Sequence, residues 1–246
     1  MNAVCRMAVL ALVFALGGCA TNNPRDPLEP FNRAMFTFND KLDEVALKPT
    51  AEAYSKLPSF VQTGVGNFFG NLEDVPTALN NFLQGKVGDG FSDVMRVAVN
   101  TFLGFGGLLD IASEAGIYKH KEDFGQTLGK WGVQSGPYVM LPFLGALTLR
   151  DTVVLPVDTE IDPWHHARPV RSRNVGSVVR VVDQRAVLLD ASSLLEDAAL
   201  DRYAFVRDAY LQRRQSKVYD GEPPETPYES ADDPASAPGE EPDTKK

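Results

Sequence analysis

The 246-residue chain reads as all-α, and three observations predict this. Apolar residues recur at alternating spacings of three and four across several segments, the period of one helical face. Pro58 and Pro76 stand just ahead of two such stripes, where a first helical turn tolerates a missing N–H. Fifteen of the 20 glycines fall between Gly64 and Gly145, interleaved with Phe68, Phe82, Phe102, Phe105, Phe124 and Phe143. A flexible linker would not carry those rings, so the glycines suit sharp corners and close helix approach.

The elements follow in order. Arg6 precedes an uncharged apolar run from Met7 to Leu16. Ten residues are too few for a span of roughly 20, but they match the apolar core of an export signal. The run ends in Leu16-Gly17-Gly18-Cys19, which resembles the lipobox of bacterial lipoproteins. Residues 1–18 are therefore expected to leave as a signal. Cys19 is expected to carry diacylglycerol and an N-acyl chain, and residues 19–25 to form a tether. Two or three acyl chains hold firmly where one holds marginally. Cys5 departs with the signal, so the mature chain has no second thiol for an internal disulfide. Ala20 stands where Asp would favour inner-membrane retention, so the lipoprotein resemblance implies the outer membrane, periplasmic face.

Residues 26–45 begin with turn residues and Pro30, then place Phe31, Met35, Phe38, Leu42 and Val45 on one stripe. This helix either packs on the protein's own core or lies in the membrane interface beside the anchor. After Pro58, Val61, Val65, Phe68 and Leu72 form a second stripe. After Pro76, Leu79, Phe82 and Leu83 form a third, ending at Gly85. From Phe91 to Leu103 apolar residues occur nearly all round, broken by Arg96, Asn100 and Thr101. Such a helix is deeply buried or in lipid. Gly104, Gly106 and Gly107 stop it, and Leu108, Leu109 and Ile111 resume at once. Two short apolar segments around a glycine corner can enter one leaflet and return, provided the irregular backbone lines a cavity. Residues 124–155 show no clear period, and Pro156, Pro163 and Pro169 mark a loop. Val175, Val178, Val179, Val182, Ala186 and Leu189 then make a stripe opposite Arg180, Asp183 and Gln184. A last charged helix runs from about Leu200 to Arg214, with Tyr203, Val206 and Tyr210 inward.

Residues 221–246 hold eight acids, two lysines and six prolines. They cannot bury enough surface to offset ordering entropy, so they read as a disordered acidic tail. The folded unit is then 26–220, long enough for one sizeable core. The net charge is -9 and no basic run points to nucleic acid. Catalytic motifs are hard to find: Gly132-Val133-Gln134-Ser135-Gly136 misses the nucleophile-elbow spacing. His165-His166, near Asp158, Glu160 and Asp162, is the best metal candidate, but adjacent residues of an extended chain point apart. No metal is expected there. Arg150-Asp151 reads as a local structural pair, with a role at a lipid headgroup as the sharper alternative.

Taken together, certain segments resemble the MlaA (VacJ) family of outer-membrane phospholipid-transport lipoproteins. They are Asp26-Pro27-Leu28-Glu29, Phe31-Asn32-Arg33, Gly66-Asn67-Phe68, Asn71-Leu72-Glu73 and Phe82-Leu83-Gln84-Gly85. They continue with Asn100-Thr101, Gly106-Gly107, Phe124-Gly125, Thr127-Leu128-Gly129, Gly136-Pro137-Tyr138, Leu141-Pro142, Leu149-Arg150-Asp151 and Gln184-Arg185-Ala186. The resemblance implies a ring-like bundle sunk in the inner leaflet of the outer membrane, enclosing a hydrophilic channel beside trimeric porins. It implies a non-enzyme that takes phospholipid from the outer leaflet and passes it to a soluble periplasmic carrier, MlaC-like. On that reading Arg96, Asn100 and Thr101 offer a headgroup path, while Phe102, Phe105, Leu108 and Leu109 offer an apolar one. Phe31, Met35, Phe38 and Leu42 would rest in the membrane interface. The alternative function is a structural lipoprotein that organises porins; an envelope phospholipase would need a nucleophile and base that the sequence does not display.

Overall fold

The computed structural model describes Asn23, residues 25–192 and residues 200–223. The signal, Cys19, most of the tether and nearly all of the acidic tail lie outside the described residues.

The described chain is helical apart from one small hairpin. Helix α1 spans Glu29–Leu42, with Pro30 in its first turn. It widens into a π-helical turn, Asp43–Leu47, and continues as α2, Lys48–Tyr54. Helix α3 spans Ser59–Leu83 and packs along α4, Val87–Phe102. A short α5, Ile111–Glu114, and α6, Phe124–Lys130, precede strands β1, Tyr138–Leu141, and β2, Gly145–Thr148. The strands pair antiparallel, Tyr138 opposite Thr148 and Leu141 opposite Gly145. Helix α7 is Leu149–Ile161, followed by a 3-10 turn, Pro163–His166. Helices α8, Val170–Val187, and α9, Arg202–Val218, complete the described fold.

Four expectations need correction. Pro76 does not open a new helix but lies inside α3. An interior proline costs about 3 kcal/mol. Here an unbroken helix keeps Asn71, Asp74, Thr77 and Asn81 on one buried face. Residues 138–148, read as aperiodic, form the hairpin, because four-residue strands are too short to reveal alternation. The expected loop around Pro156 is helical, and Pro163 opens the 3-10 turn. The stripe on α8 faces the wrong way in part. Val175 and Val178 are exposed, Val179 and Ala186 are half-buried, and only Val182 is buried. The charged face docks instead: Arg180 donates to Asp162 and Glu73 at 2.6 and 2.8 Å, and the Tyr54 hydroxyl donates to Asp183 at 2.8 Å.

The same inversion governs the whole interior. Among the described residues fifteen polar or charged residues are buried against eleven apolar ones. Soluble domains bury the opposite mixture. A buried apolar cluster, Tyr138, Met140 and Tyr203, is small and is covered by Met35, Phe36, Tyr210 and Leu211. Two asparagines of α1, two turns apart, tie the hairpin to it. Asn32 donates to the Tyr138 carbonyl at 3.0 Å and accepts from the Met140 N–H at 2.8 Å. Asn39 does the same for Leu141 and Phe143, at 2.9 and 2.8 Å.

Candidate functional site

Helices α3 and α4 build the site by turning their polar faces to each other. On α4, Gly90, Asp93, Arg96 and Asn100 are buried. On the opposite face Val87, Phe91, Val94, Met95 and Phe102 are exposed. Helix α3 repeats the arrangement, with Asn71, Asp74 and Asn81 inward and Val75, Leu79, Phe82 and Leu83 partly bare. Such amphipathicity, apolar outside and polar inside, suits a helix whose outer solvent is not water.

Arg96 is the hub, 2% exposed. Its Nε donates to Asp74 Oδ2 at 3.1 Å, and its Nη2 donates to both oxygens of Asp110 at 3.0 and 3.1 Å. Its Nη1 donates to Ser113 Oγ at 3.1 Å and to the Ile117 carbonyl. The guanidinium's five N–H donors are thus all engaged. Asp110 also caps α5, accepting from the Ser113 N–H at 3.2 Å and from Asn100 Nδ2 at 3.0 Å. Burial alone would raise the Asp110 carboxyl. The hydrogen bonds from Ser113, Asn100 and Arg96 outweigh it and hold the group down at about 2. Lys119 reaches Asp74 from the other side and donates to the Gly70 carbonyl at 2.6 Å.

The polar interior continues beyond this hub. Asn81 donates to Asp93 at 2.7 Å, and Asp93 meets His120 Nδ1 at 2.9 Å. Thr127 donates to Asn80 at 2.7 Å. A second charged centre joins α6, α7 and α9. There Arg214 grips Asp123 through two bonds of 2.6 Å and donates to Asp151 at 2.9 Å. Burial, with the neighbouring charges of Asp123 and Asp151, pushes the Asp158 carboxyl up to about 6, although the Phe124 N–H donates to it at 2.8 Å.

The corner after α4 is fixed by steric necessity. A Cβ on Gly104 would stand 2.2 Å from the Leu109 carbonyl oxygen. Gly107 has a φ of +93° and would place a Cβ 2.7 Å from Asn71 Nδ2. The corner projects its apolar side chains outward: Phe102 is 84% exposed and Phe105 77%, and Leu108 and Leu109 are also exposed.

The sequence-derived residues therefore divide. Arg96 and Asn100 belong to the buried hub, and the Thr101 hydroxyl sits at its rim, accepting from Asn71 at 3.0 Å. Phe102, Phe105, Leu108 and Leu109 lie on the outer surface. Phe31 and Met35 are half-buried, while Phe38 and Leu42 are exposed farther along the same helix. Cys19 lies outside the described residues. His165 and His166 sit in the 3-10 turn beside Glu160, 3.8 and 4.0 Å from its carboxylate oxygens. Among the described residues no three His, Cys, Asp or Glu side chains are grouped to hold a metal. Sequence reasoning assigned no role to Asp74, Asp93, Asp110 or Arg214. The signal for the first two was the three-and-four spacing of polar residues, in antiphase to the apolar stripe.

The sequence pattern that defines the MlaA lipoproteins matches residues 24–217. The chain belongs to the MlaA lipoprotein family. An intermembrane phospholipid transport system lipoprotein MlaA of Escherichia coli K12 is 38% identical over 245 residues, covering 92% of this chain and 94% of that protein. The Haemophilus influenzae protein of the same description is 32% identical over 247 residues, covering 92% and 95%. A solved MlaA structure, described as a structural basis for maintenance of bacterial outer membrane lipid asymmetry, shares 39% identity with a TM-score of 0.67. It covers 78% of this chain and 98% of its own. The mostly helical architecture is thus that of the MlaA fold. No described helix is long and apolar enough to cross a membrane.

Proposed function

We propose that this protein transports phospholipid without transforming it, removing molecules misplaced in the outer leaflet of the outer membrane and so maintaining lipid asymmetry. The observation that carries this reading is the inverted body: a charged, hydrogen-bonded interior inside an apolar coat. A phospholipid needs a polar route for its headgroup and an apolar one for its tails. Helices α3 and α4 present those two surfaces on opposite faces of the same elements. The protein sits in the inner leaflet, tethered through acyl chains on Cys19 and facing the periplasm. The outer ends of α1 and the 102–109 corner rest in the lipid. A trimeric porin stands beside it, and a soluble periplasmic carrier receives the lipid. The relatives' description as parts of an intermembrane phospholipid transport system supports the substrate class.

Clean deletion tests the reading in cells. The expected result is phospholipid at the cell surface, with sensitivity to detergent and chelator that the intact gene reverses. Unchanged surface lipid would overturn it. Purification from membranes should bring down phospholipid and a porin together.

A further inference from the structure

We propose that the open cavity between residues 132–137 and α9 binds the phosphate ester of a glycerophospholipid headgroup. This deepens the transport reading and rests on it for the lipid source of the ligand. The cavity measures about 980 Å³, the size of a small-molecule site. Its wall sets Arg25, Arg150 and Arg214 beside Leu211 and Val218. Asp208 also lines it, but that carboxylate is held by Arg207 at 2.8 and 3.2 Å. Arg214 is likewise held by Asp123 and Asp151, so the cationic character of the wall comes from Arg25 and Arg150, in a chain of net charge -9.

Arg150 carries the argument. A Cβ on Gly129 would stand 2.6 Å from Arg150 Nη1, so only glycine lets the guanidinium lie against α6. Its Nε donates to Asp151 Oδ1 at 3.2 Å and its Nη1 to the Val133 carbonyl at 3.1 Å. Its Nη2 has no partner, although the side chain is only 4% exposed. Nor does Arg150 own its counter-ion. Arg214 donates to the same Asp151 Oδ1 at 2.9 Å, and the Tyr210 hydroxyl donates to the other oxygen at 3.2 Å. A guanidinium removed from water, with idle donors and a shared carboxylate, is under-compensated. Phosphate oxygens match the parallel N–H groups of its fork, whereas a neutral ligand would leave the charge unanswered. Free phosphate has the same chemistry. Leu211 and Val218 beside the arginines favour the ester of an acylglycerol.

Binding to the purified protein in non-ionic detergent tests the site, with dihexanoylphosphatidylglycerol, inorganic phosphate and dihexanoylglycerol as probes. Gln215 is an exposed residue of the cavity wall, so Gln215→Trp fills the space without disturbing the interior. Arg25→Gln removes a lining charge, and thermal unfolding of each variant reports the fold. The expected result is saturable binding of the phosphatidylglycerol, none of the neutral diacylglycerol, and affinity roughly tenfold lower in Arg25→Gln. Gln215→Trp should abolish binding at an unchanged unfolding temperature. Equal binding of dihexanoylglycerol, or unaltered affinity in Gln215→Trp, overturns the site. Inorganic phosphate equalling the lipid overturns the lipid source while supporting the anion site. A failed deletion phenotype, by contrast, overturns the transport function and leaves binding to the pure protein untouched.

Discussion

Arg96 bridges the buried Asp74 and the partly exposed Asp110, and its loss would take the cation from Asp110 and leave Asp74 with Lys119 alone. Arg96→Met should destabilise the protein by about 3 kcal/mol, the low end for a broken buried ion pair, since Asp74 is fully buried but keeps Lys119 while Asp110 is partly exposed. Arg96→Lys should recover only part of that, because one ammonium cannot reach Asp74, Asp110, Ser113 and the Ile117 carbonyl together. Thermal unfolding in detergent distinguishes them; a Met variant as stable as the parent would refute the hub. Asp158 predicts a pH effect of definite sign. Folded, it keeps its proton up to about 6; unfolded, it releases it near the ordinary 3.8. Between those values the folded chain binds more protons, so this group's contribution to stability falls as pH rises. Asp158→Asn should therefore raise the unfolding temperature at pH 7.5 and give no gain at pH 4. The gain should vanish across the interval from 4 to 6. Equal effects at both ends would place the carboxyl in an ordinary, hydrated setting.

At the scale of elements, the helical period was legible and its direction was not. Periodicity marks which residues share a face, but the sign of burial depends on the solvent outside. The stripe Leu79, Phe82 and Leu83 on α3 was readable as a face, yet in the structure it is the outer one. Arg96 was visible as an oddity in an apolar helix. Its partners were not, because Asp74 and Asp110 come from other elements. Arg150 and Asp151 were legible as neighbours, but Arg214, which shares Asp151, arrives from 63 positions away. The hairpin was hidden by its shortness, and Pro76 misled because local chemistry was outvoted by packing along α4. A consequence can be tested on α4. Phe91 and Val94 are exposed, so Phe91→Asp with Val94→Asp should alter unfolding in detergent by no more than about 0.5 kcal/mol per site. In bilayers each change should forfeit about 1.5–3 kcal/mol of apolar contact, visible as weaker retention on lipid vesicles. Collapse of the detergent-solubilised fold would mean that these side chains are core.

For the molecule as a whole, the inversion sets what holds it to the membrane. A lipid anchor alone tethers a body that is otherwise at home in water. A body with Phe60, Phe91, Phe102, Leu103, Phe105 and Phe143 on its surface is not at home there, since large bare apolar patches drive association. The two contributions separate if residues 1–19 are exchanged for an export signal that ordinary signal peptidase removes, so that the mature chain starts at Ala20. Simple replacement of Cys19 would leave the signal uncut and still anchoring. Without acyl chains the protein should stay partly on the membrane at high salt, because apolar burial is insensitive to ionic screening. It should need detergent to remain monodisperse once released. A freely soluble monomer in plain buffer would show that the exposed rings do not face lipid. The interior polar network would then be an unusual core of a periplasmic protein, and the proposed paths along α3 and α4 would lose their outer wall.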